Sequence, residues 1–178
     1  MSTAVNRAIR DGQPGDAAII AELASRTFRQ TYGPQTRADD MEAFLADAYL
    51  PENIDEQLAN RRHRFLLATS DETVVGFAHL TIGEGYPPVV GRLPVLLAEI
   101  YLDQEHKGVG LGAALMRRAL EIARDAGADV LWLGVWEHNA PAIEFYRRWG
   151  FTAVGSMPFT FGSEEHRDIV MALPLTDT

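Results

Sequence analysis

Two periodicities alternate along the chain. From Gly15-Asp16 onward, Ile19, Ile20, Leu23 and Phe28 return at helical spacing and predict an amphipathic helix, and shorter helical patterns follow near residues 39–48 and 53–62. Ala4 to Arg10 reads instead as a first strand, and Arg64 to Thr69 and Val74 to Ile82 as two more, joined by the turn Ser70-Asp71-Glu72-Thr73. Gly83 to Arg92, with three glycines and two prolines, is a loop. Leu93 to Leu102 is an apolar run short enough for a buried strand. Beyond it Leu111, Leu115, Ala119, Ile122 and Ala126 form one helical face, with Arg117, Arg118, Glu121, Arg124 and Asp125 outward and Gly127 as the stop. Asp129 to Trp136 is a strand by its β-branched and aromatic content, and strands near Thr152 to Phe161 and His166 to Leu173 follow. No repeat, low-complexity tract or linker interrupts the pattern, so residues 1–178 are expected to form a single domain.

The stretch Lys107-Gly108-Val109-Gly110-Leu111-Gly112 sits where a strand gives way to a helix. Glycines at alternate positions let backbone N–H groups converge on an anion, and the helix N-terminus behind them adds its dipole. This is the pattern of a diphosphate cradle, although a glycine-rich turn alone also serves merely to turn the chain tightly. A dinucleotide-binding turn is the nearest rival, since Gly108, Gly110 and Ala113 satisfy its glycine spacing. Its glycines follow the strand directly and its acidic residue ends the next strand, whereas here Asp103 to Lys107 intervene and Asp129 precedes the next strand. The rival fails on that geometry.

A second constellation follows the strand Asp129 to Trp136. In Glu137-His138-Asn139-Ala140-Pro141-Ala142-Ile143-Glu144-Phe145-Tyr146-Arg147-Arg148-Trp149-Gly150-Phe151, Asn139 is a good N-cap, Pro141 suits a first helical turn and Gly150 ends the helix. With both segments in view, the chain resembles the GNAT superfamily of acyl-CoA-dependent N-acetyltransferases. HKGVGLGAALM matches that family's Q/R-x-x-G-x-G/A pyrophosphate loop, with Lys107 standing where Gln or Arg is usual, and VWEHNAPAIEFYRRWGF matches its N-x-x-A-x-x-F-Y-x-x-x-G-F segment. The resemblance extends over nearly the whole chain. It is nearest the bacterial spermidine/spermine N-acetyltransferases, through Thr27-Phe28-Arg29-Gln30-Thr31-Tyr32, Met41-Glu42-Ala43-Phe44-Leu45, LWLGVWEHN and Phe161-Gly162 to Met171, with His166 where Gln is expected.

The resemblance implies an α/β (α+β) fold: a mixed, mostly antiparallel central sheet flanked by helices, in which one parallel strand pair splays apart to admit the cosubstrate, acetyl-CoA. It implies that the backbone of Ile100, Tyr101 and Leu102 binds pantetheine as an added strand would, and that Lys107, Gly108, Val109, Gly110, Leu111 and Gly112 hold the pyrophosphate. Asn139, Ala142 and Arg148 become cofactor contacts, while capping suffices to explain Asn139 and pairing with Glu144 to explain Arg148. Tyr146 takes the family's place for the acid that protonates the departing thiolate; by spacing alone Phe145-Tyr146 simply packs the helix. Where many relatives carry a carboxylate before the pantetheine strand, Leu96, Leu97 and Ala98 leave Glu99 as the only acid, so Glu99 is the candidate base acting through water or, alternatively, a structural or substrate-orienting carboxylate. By strand alternation it shares a face with Tyr101.

Composition narrows the remaining choices. A formal net charge of −9 disfavours nucleic-acid binding and suits either solubility or cationic partners. Asp39, Asp40 and Glu42 lie in the segment where relatives receive acceptor amines, and also where a solvated helix start wants acids. Cysteine is absent, which excludes disulfides and a thiol nucleophile, and neither a membrane span nor a signal-like N-terminus is legible, so the expected location is cytoplasmic. His63, His79, His106, His138 and His166 show no ligand spacing, so no metal is expected and ordinary polar roles are assigned to them. The three tryptophans are read as packing residues. The expected enzyme transfers acetyl from acetyl-CoA to a primary amine, a polyamine or other small cationic amine, with no nucleic-acid or membrane partner and homodimer formation left open. Acetylation of a protein or antibiotic-like amine, or acyl-CoA binding without turnover, are the alternatives.

Overall fold

The computed structural model describes residues 5–175. In chain order it contains β1 (Arg7–Asp11), α1 (Ala17–Tyr32), α2 (Ala38–Ala48), α3 (Pro51–Ala59), β2 (His63–Ser70), β3 (Thr73–Ile82), β4 (Pro94–Leu102), α4 (Leu111–Asp125), β5 (Val130–Trp136), α5 (Ala140–Arg148), β6 (Thr152–Phe161) and β7 (Glu164–Pro174). The strands order as β1-β2-β3-β4-β5-β7-β6. The β1–β2, β5–β7 and β6–β7 pairs are antiparallel and β4–β5 is parallel. This is the mixed, mostly antiparallel sheet that the sequence predicts.

The sequence reading is corrected at the first strand, the third helix and the apolar face of α1. The first strand begins at Arg7; Ala4 lies outside the described residues. The third helix stops at Ala59 rather than near residue 62, because Asn60 turns extended and its side chain accepts the Arg62 N–H at 3.0 Å while its carbonyl accepts that of His63 at 2.9 Å. Asparagine competes in this way with the helical ladder. In α1 the apolar face falls on Ala17, Ile20, Ala21, Leu23, Ala24 and Phe28, and Ile19 is 39% exposed. Each residue turns the helix by about 100°, which carries Ile19 off the stripe that Ile20 occupies.

The chain divides into two compact units. One comprises the residues up to Leu80 together with Glu99–Ala119; the other comprises Thr81–Ala98 and the chain from Leu120 onward. In the first, α1 and α3 pack on β2 and β3 through Ile20, Leu23, Ile54, Phe65, Leu67 and Phe77, with Tyr49, Leu58 and Tyr101 against them. In the second, Val130, Trp132, Val170 and Ala172 of β5 and β7 form a core covered by Tyr86, Val89, Leu96 and Met157. The loop before β4 is tied down there, since Trp132 Nε1 donates to the Glu84 carbonyl at 2.7 Å.

The parallel β4–β5 register pairs Pro94, Val95 and Leu96 with Val130, Leu131 and Trp132, while β4 itself continues to Leu102. On its other side β4 lies close against β3: a Cβ built at Gly76 would stand 2.8 Å from the Tyr101 carbonyl oxygen and 2.3 Å from Leu102 Cδ2. Glycine is required here by the approach of a neighbouring backbone. Gly76→Val is therefore expected to destabilise the fold by about 1–3 kcal/mol, as overpacking in a closed site does. Urea unfolding checks this, and an unchanged transition midpoint would refute it.

Candidate active site

The glycine turn has the conformation that its sequence anticipates. After Leu102 a short 3₁₀ turn spans Gln104–His106, Lys107 is extended, and Gly108 and Gly110 take positive φ values of 77° and 88°. The Gly110 carbonyl then accepts the Ala114 N–H at 3.0 Å, starting α4. The first N–H groups of a helix lack intrahelical acceptors, so those of this turn and helix start are available to an anion. Cβ atoms built at Gly108 or Gly110 would meet nothing within 4 Å, so there is room beside both residues, and their φ values are ones that other residues rarely adopt. Lys107 and Val109 are exposed, Leu111 is buried beneath the helix, and Gly112 lies in its first turn. The strand end ahead of the turn is fixed by Asp103, whose carboxylate receives Arg26 Nε at 2.9 Å and Nη2 at 2.6 Å. That guanidinium holds the Asp103 carboxyl below its ordinary range.

Glu99 lies in the same unit as this turn, on β4, and does share its face with Tyr101. The neighbouring strand β3 shows the matching alternation, for the Tyr101 ring lies 6.0 Å from that of Phe77 and Glu99 Oε2 lies 3.8 Å from His79 Nδ1. The Tyr49 hydroxyl donates to Glu99 Oε1 at 2.7 Å. Burial, then the negative charge of Glu99, pushes the Tyr49 phenol far above its ordinary pKa, so it stays a neutral donor. His79 is only 6% exposed, stacks on Phe65 at 4.1 Å, and its Nε2 lies 2.9 Å from His63 Nδ1. The polar role read for these two histidines from sequence takes the form of this contact between neighbouring strands. No fixed sequence spacing marks residues that meet across β2, β3 and β4.

The second unit holds Asn139, Ala142, Tyr146 and Arg148. Asn139 Oδ1 accepts the Ala142 N–H at 3.4 Å, a long but recognisable N-cap. Tyr146 is buried, with its ring 5.5 Å from that of Phe145 and 5.9 Å from that of Phe151; Arg148 is exposed. Sequence reasoning missed Asp168. It stands opposite Trp136 on β5 and Met157 on β6, and its carboxylate occupies space that a side chain at Gly134 would take, with Oδ2 3.3 Å from a Cβ built there. The Trp136 ring lies edge-on to His138 at 5.3 Å and to His166 at 5.9 Å. Asp168 Oδ1 is buried with no hydrogen-bond partner among the described residues. Burial pushes the carboxyl up to about 6, against the opposing pull of His166.

Four other acids sit in structural settings. Glu42 of the acidic α2 segment receives Arg29 Nε and Nη2 at 3.1 and 3.0 Å, while Asp39 and Asp40 occupy the first turn of α2, where acids favour a helix. Asp129 accepts the backbone N–H groups of Arg92 and Leu93 at 2.7 and 2.9 Å, which holds its carboxyl below the ordinary range. It anchors the loop before β4, as no ribose-binding acid would. Among the described residues no three metal-ligating side chains cluster, and no helix is long and apolar enough to cross a membrane.

A mixed sheet with one parallel pair, a glycine turn leading into α4 and a capped short helix after β5 define an acyltransferase-type α/β protein. The sequence profile of the Acetyltransferase (GNAT) family matches residues 20–151. An uncharacterized N-acetyltransferase of Mycobacterium tuberculosis strain H37Rv is 32% identical over 160 residues, 90% of this chain and 98% of that protein. The chain therefore belongs to the GNAT family and is an N-acetyltransferase. Streptothricin acetyltransferase of Streptomyces lavendulae is 35% identical over 113 residues, 62% of this chain and 57% of that protein. The crystal structure of the PaiA N-acetyltransferase from Thermoplasma acidophilum in complex with coenzyme A superposes with a TM-score of 0.78 at 23% identity, covering 96% of this chain and 99% of that one. None of these three names singles out a polyamine acceptor, so the nearness to spermidine/spermine enzymes read from sequence is not carried by them.

The raised carboxyl of Asp168 sets a sign for stability against pH. The folded state takes up this proton at a higher pH than the unfolded chain, so its contribution is most favourable below the ordinary carboxyl range and is lost as pH rises through about 6. Asp168→Asn is expected to raise the melting temperature relative to wild type at about pH 7.5, with the gain shrinking toward about pH 4.5. Scanning calorimetry at both pH values checks this; a variant destabilised equally at both would contradict it.

Proposed function

We propose that the chain acetylates a small cationic primary amine, a polyamine being the leading candidate. Acetyl-CoA is the acyl donor and supplies an acetyl thioester. Supporting its placement, the turn from Lys107 to Gly112 offers converging N–H groups and open space beside Gly108 and Gly110 for a pyrophosphate. Ile100, Tyr101 and Leu102 lie on β4 beyond the end of its ladder with β5 and present extended backbone to the pantetheine amides. Asn139, Ala142 and Arg148 contribute further contacts to the CoA moiety. Tyr146 donates the proton that the leaving thiolate takes up, and Glu99, through water, removes the proton of the attacking ammonium.

Asp168 is the observation that carries the cationic acceptor. A buried carboxylate oxygen without a donor among the described residues is costly, and an ammonium would satisfy it, with Trp136 opposite on β5 offering a ring face. The cost to stability anticipated above is the usual counterpart of a binding group held ready. The second reading, an antibiotic-like amine, is favoured by the 35% identity to streptothricin acetyltransferase. A panel of spermidine, spermine, streptothricin, an N-terminal peptide amine and a neutral monoamine, read by free-thiol release and product mass, tests both. Spermidine or spermine should turn over fastest, and Asp168→Asn should raise their KM while leaving acetyl-CoA affinity unchanged. Rapid turnover of streptothricin or the peptide with none of the polyamines would replace the leading candidate.

Tyr146→Phe keeps the ring packing against Phe145 and Phe151 and removes the hydroxyl proton. Its single-turnover rate of acetyl transfer should fall toward the range of about 10²–10⁴-fold typical of general acid–base catalysis, blunted because a thiol of pKa about 8.5 is already a fair leaving group. Folding and acetyl-CoA affinity should persist. A variant with the wild-type single-turnover rate would leave Tyr146 a packing residue.

A further inference from the structure

Removing a proton from an ammonium of pKa about 10.4 is only half of the base's task, because the same carboxylate must be free again for the next cycle. Glu99 is 21% exposed in its side chain and lies on β4 on the face of Tyr101, which packs into the core that Phe77 and Tyr49 share. One of its oxygens, Oε1, already accepts the Tyr49 hydroxyl at 2.7 Å. The other, Oε2, faces His79 Nδ1 at 3.8 Å, and the far side of that imidazole is within hydrogen-bond distance of His63, Nε2 to Nδ1 at 2.9 Å. These groups step across β4, β3 and β2 in order. The path dips at His79, which is buried, and regains exposure at His63, which is half-buried.

We propose that His79 and His63 form a proton relay that discharges Glu99 to solvent. The proposal rests on Glu99 being the base. When Glu99 takes the acceptor's proton, an N–H bond of the ammonium breaks and an O–H bond forms. The Glu99 O–H then gives its proton to His79 Nδ1, His79 Nε2–H gives its own to His63 Nδ1, and a proton leaves His63 Nε2 to water. Each ring gains one proton and loses one, so no net ionisation remains; both rings are left as the other tautomer, and proton exchange with water or ring rotation restores the first before the next cycle.

The resting geometry suits this direction. A His79 that donates through Nε2 to His63 turns a lone pair from Nδ1 toward Glu99 Oε2, and two acceptors stand off at 3.8 Å instead of closing to hydrogen-bond distance. Protonating Glu99 supplies the missing hydrogen and lets that gap close. Phe65, stacked on His79 at 4.1 Å with an interplanar angle of 7°, holds the ring in plane for the transfer. The titratable groups bearing on His79 are Glu99 and His63 directly and Tyr49 through Glu99, and Tyr49 in turn feels Tyr32.

Glu99→Gln, His79→Gln and His63→Ala are compared in single turnover and in steady state with acetyl-CoA and saturating spermidine, or streptothricin if that is the amine that reacts. Both histidine variants should bind acetyl-CoA and complete the first transfer as wild type does, yet turn over about tenfold or more slowly in steady state, with a larger solvent deuterium isotope effect and a shifted pH–rate profile. Added imidazole should restore rate to His63→Ala, whose exit lies nearer solvent, and not to Glu99→Gln. Wild-type steady-state rates in both histidine variants with an impaired Glu99→Gln would leave the base in place and overturn the relay. A wild-type rate in Glu99→Gln would overturn the base reading and the relay with it. Slow histidine variants with an unmoved pH profile and no imidazole rescue would show a packing role only.

Discussion

Backbone N–H and C=O groups must find partners, and strand β4 meets that demand differently along its length. Over Pro94, Val95 and Leu96 it is laddered to β5, and it then runs on to Leu102 without further register to that strand. Its other edge is held close against β3, closely enough that Gly76 is the only side-chain-free solution beside Tyr101 and Leu102. A strand gripped on one side and released on the other presents extended backbone at a fixed height. The glycine turn follows immediately, so the binding groups proposed for pantetheine and for pyrophosphate are consecutive in sequence and set by the same anchor, with Arg26 clamped on Asp103 between them.

The carboxylates divide by what surrounds them. Asp16, Asp103 and Asp129 are satisfied by guanidinium or backbone donors and are held low, the signature of structural acids. Glu99 has one strong neutral donor in Tyr49 and an imidazole standing off its other oxygen. Asp168 has neither: burial raises it, and one oxygen lacks a partner among the described residues. Groups left in such costly states are where ligand chemistry is to be sought. By this measure the proposed base and the proposed cation site stand apart from the acids that merely hold the fold.

How much of this was legible beforehand follows from the range of the interactions involved. Periodicity and capping chemistry are local, so the strand and helix order, the turn at Gly108 and Gly110, the cap at Asn139 and the stop at Gly150 could be read from neighbouring residues. The paired motifs around Gly110 and Tyr146 likewise carried family membership, which the profile match over residues 20–151 bears out. Local reading erred where one position in a pattern decides the outcome, as with Ile19 turned out of the α1 stripe and α3 ended early by Asn60.

What the tertiary structure alone decided are meetings between distant positions. Nothing along the chain relates Tyr49, His63, His79 and Glu99: the last three meet because β2, β3 and β4 lie side by side and alternate in phase, and Tyr49 reaches Glu99 from the end of α2. Asp168 looks like any acid in a charged tail until the β5 and β6 registers place it beside Trp136 and Met157 in the gap left by Gly134. Glu42 and Asp129 likewise gain their partners, Arg29 for the first and the Arg92-Leu93 backbone for the second, only in the fold. Sequence determines which groups a segment carries, because local conformation depends on near neighbours. Burial, charge and proton affinity depend on residues that only the folded sheet brings within a few ångströms.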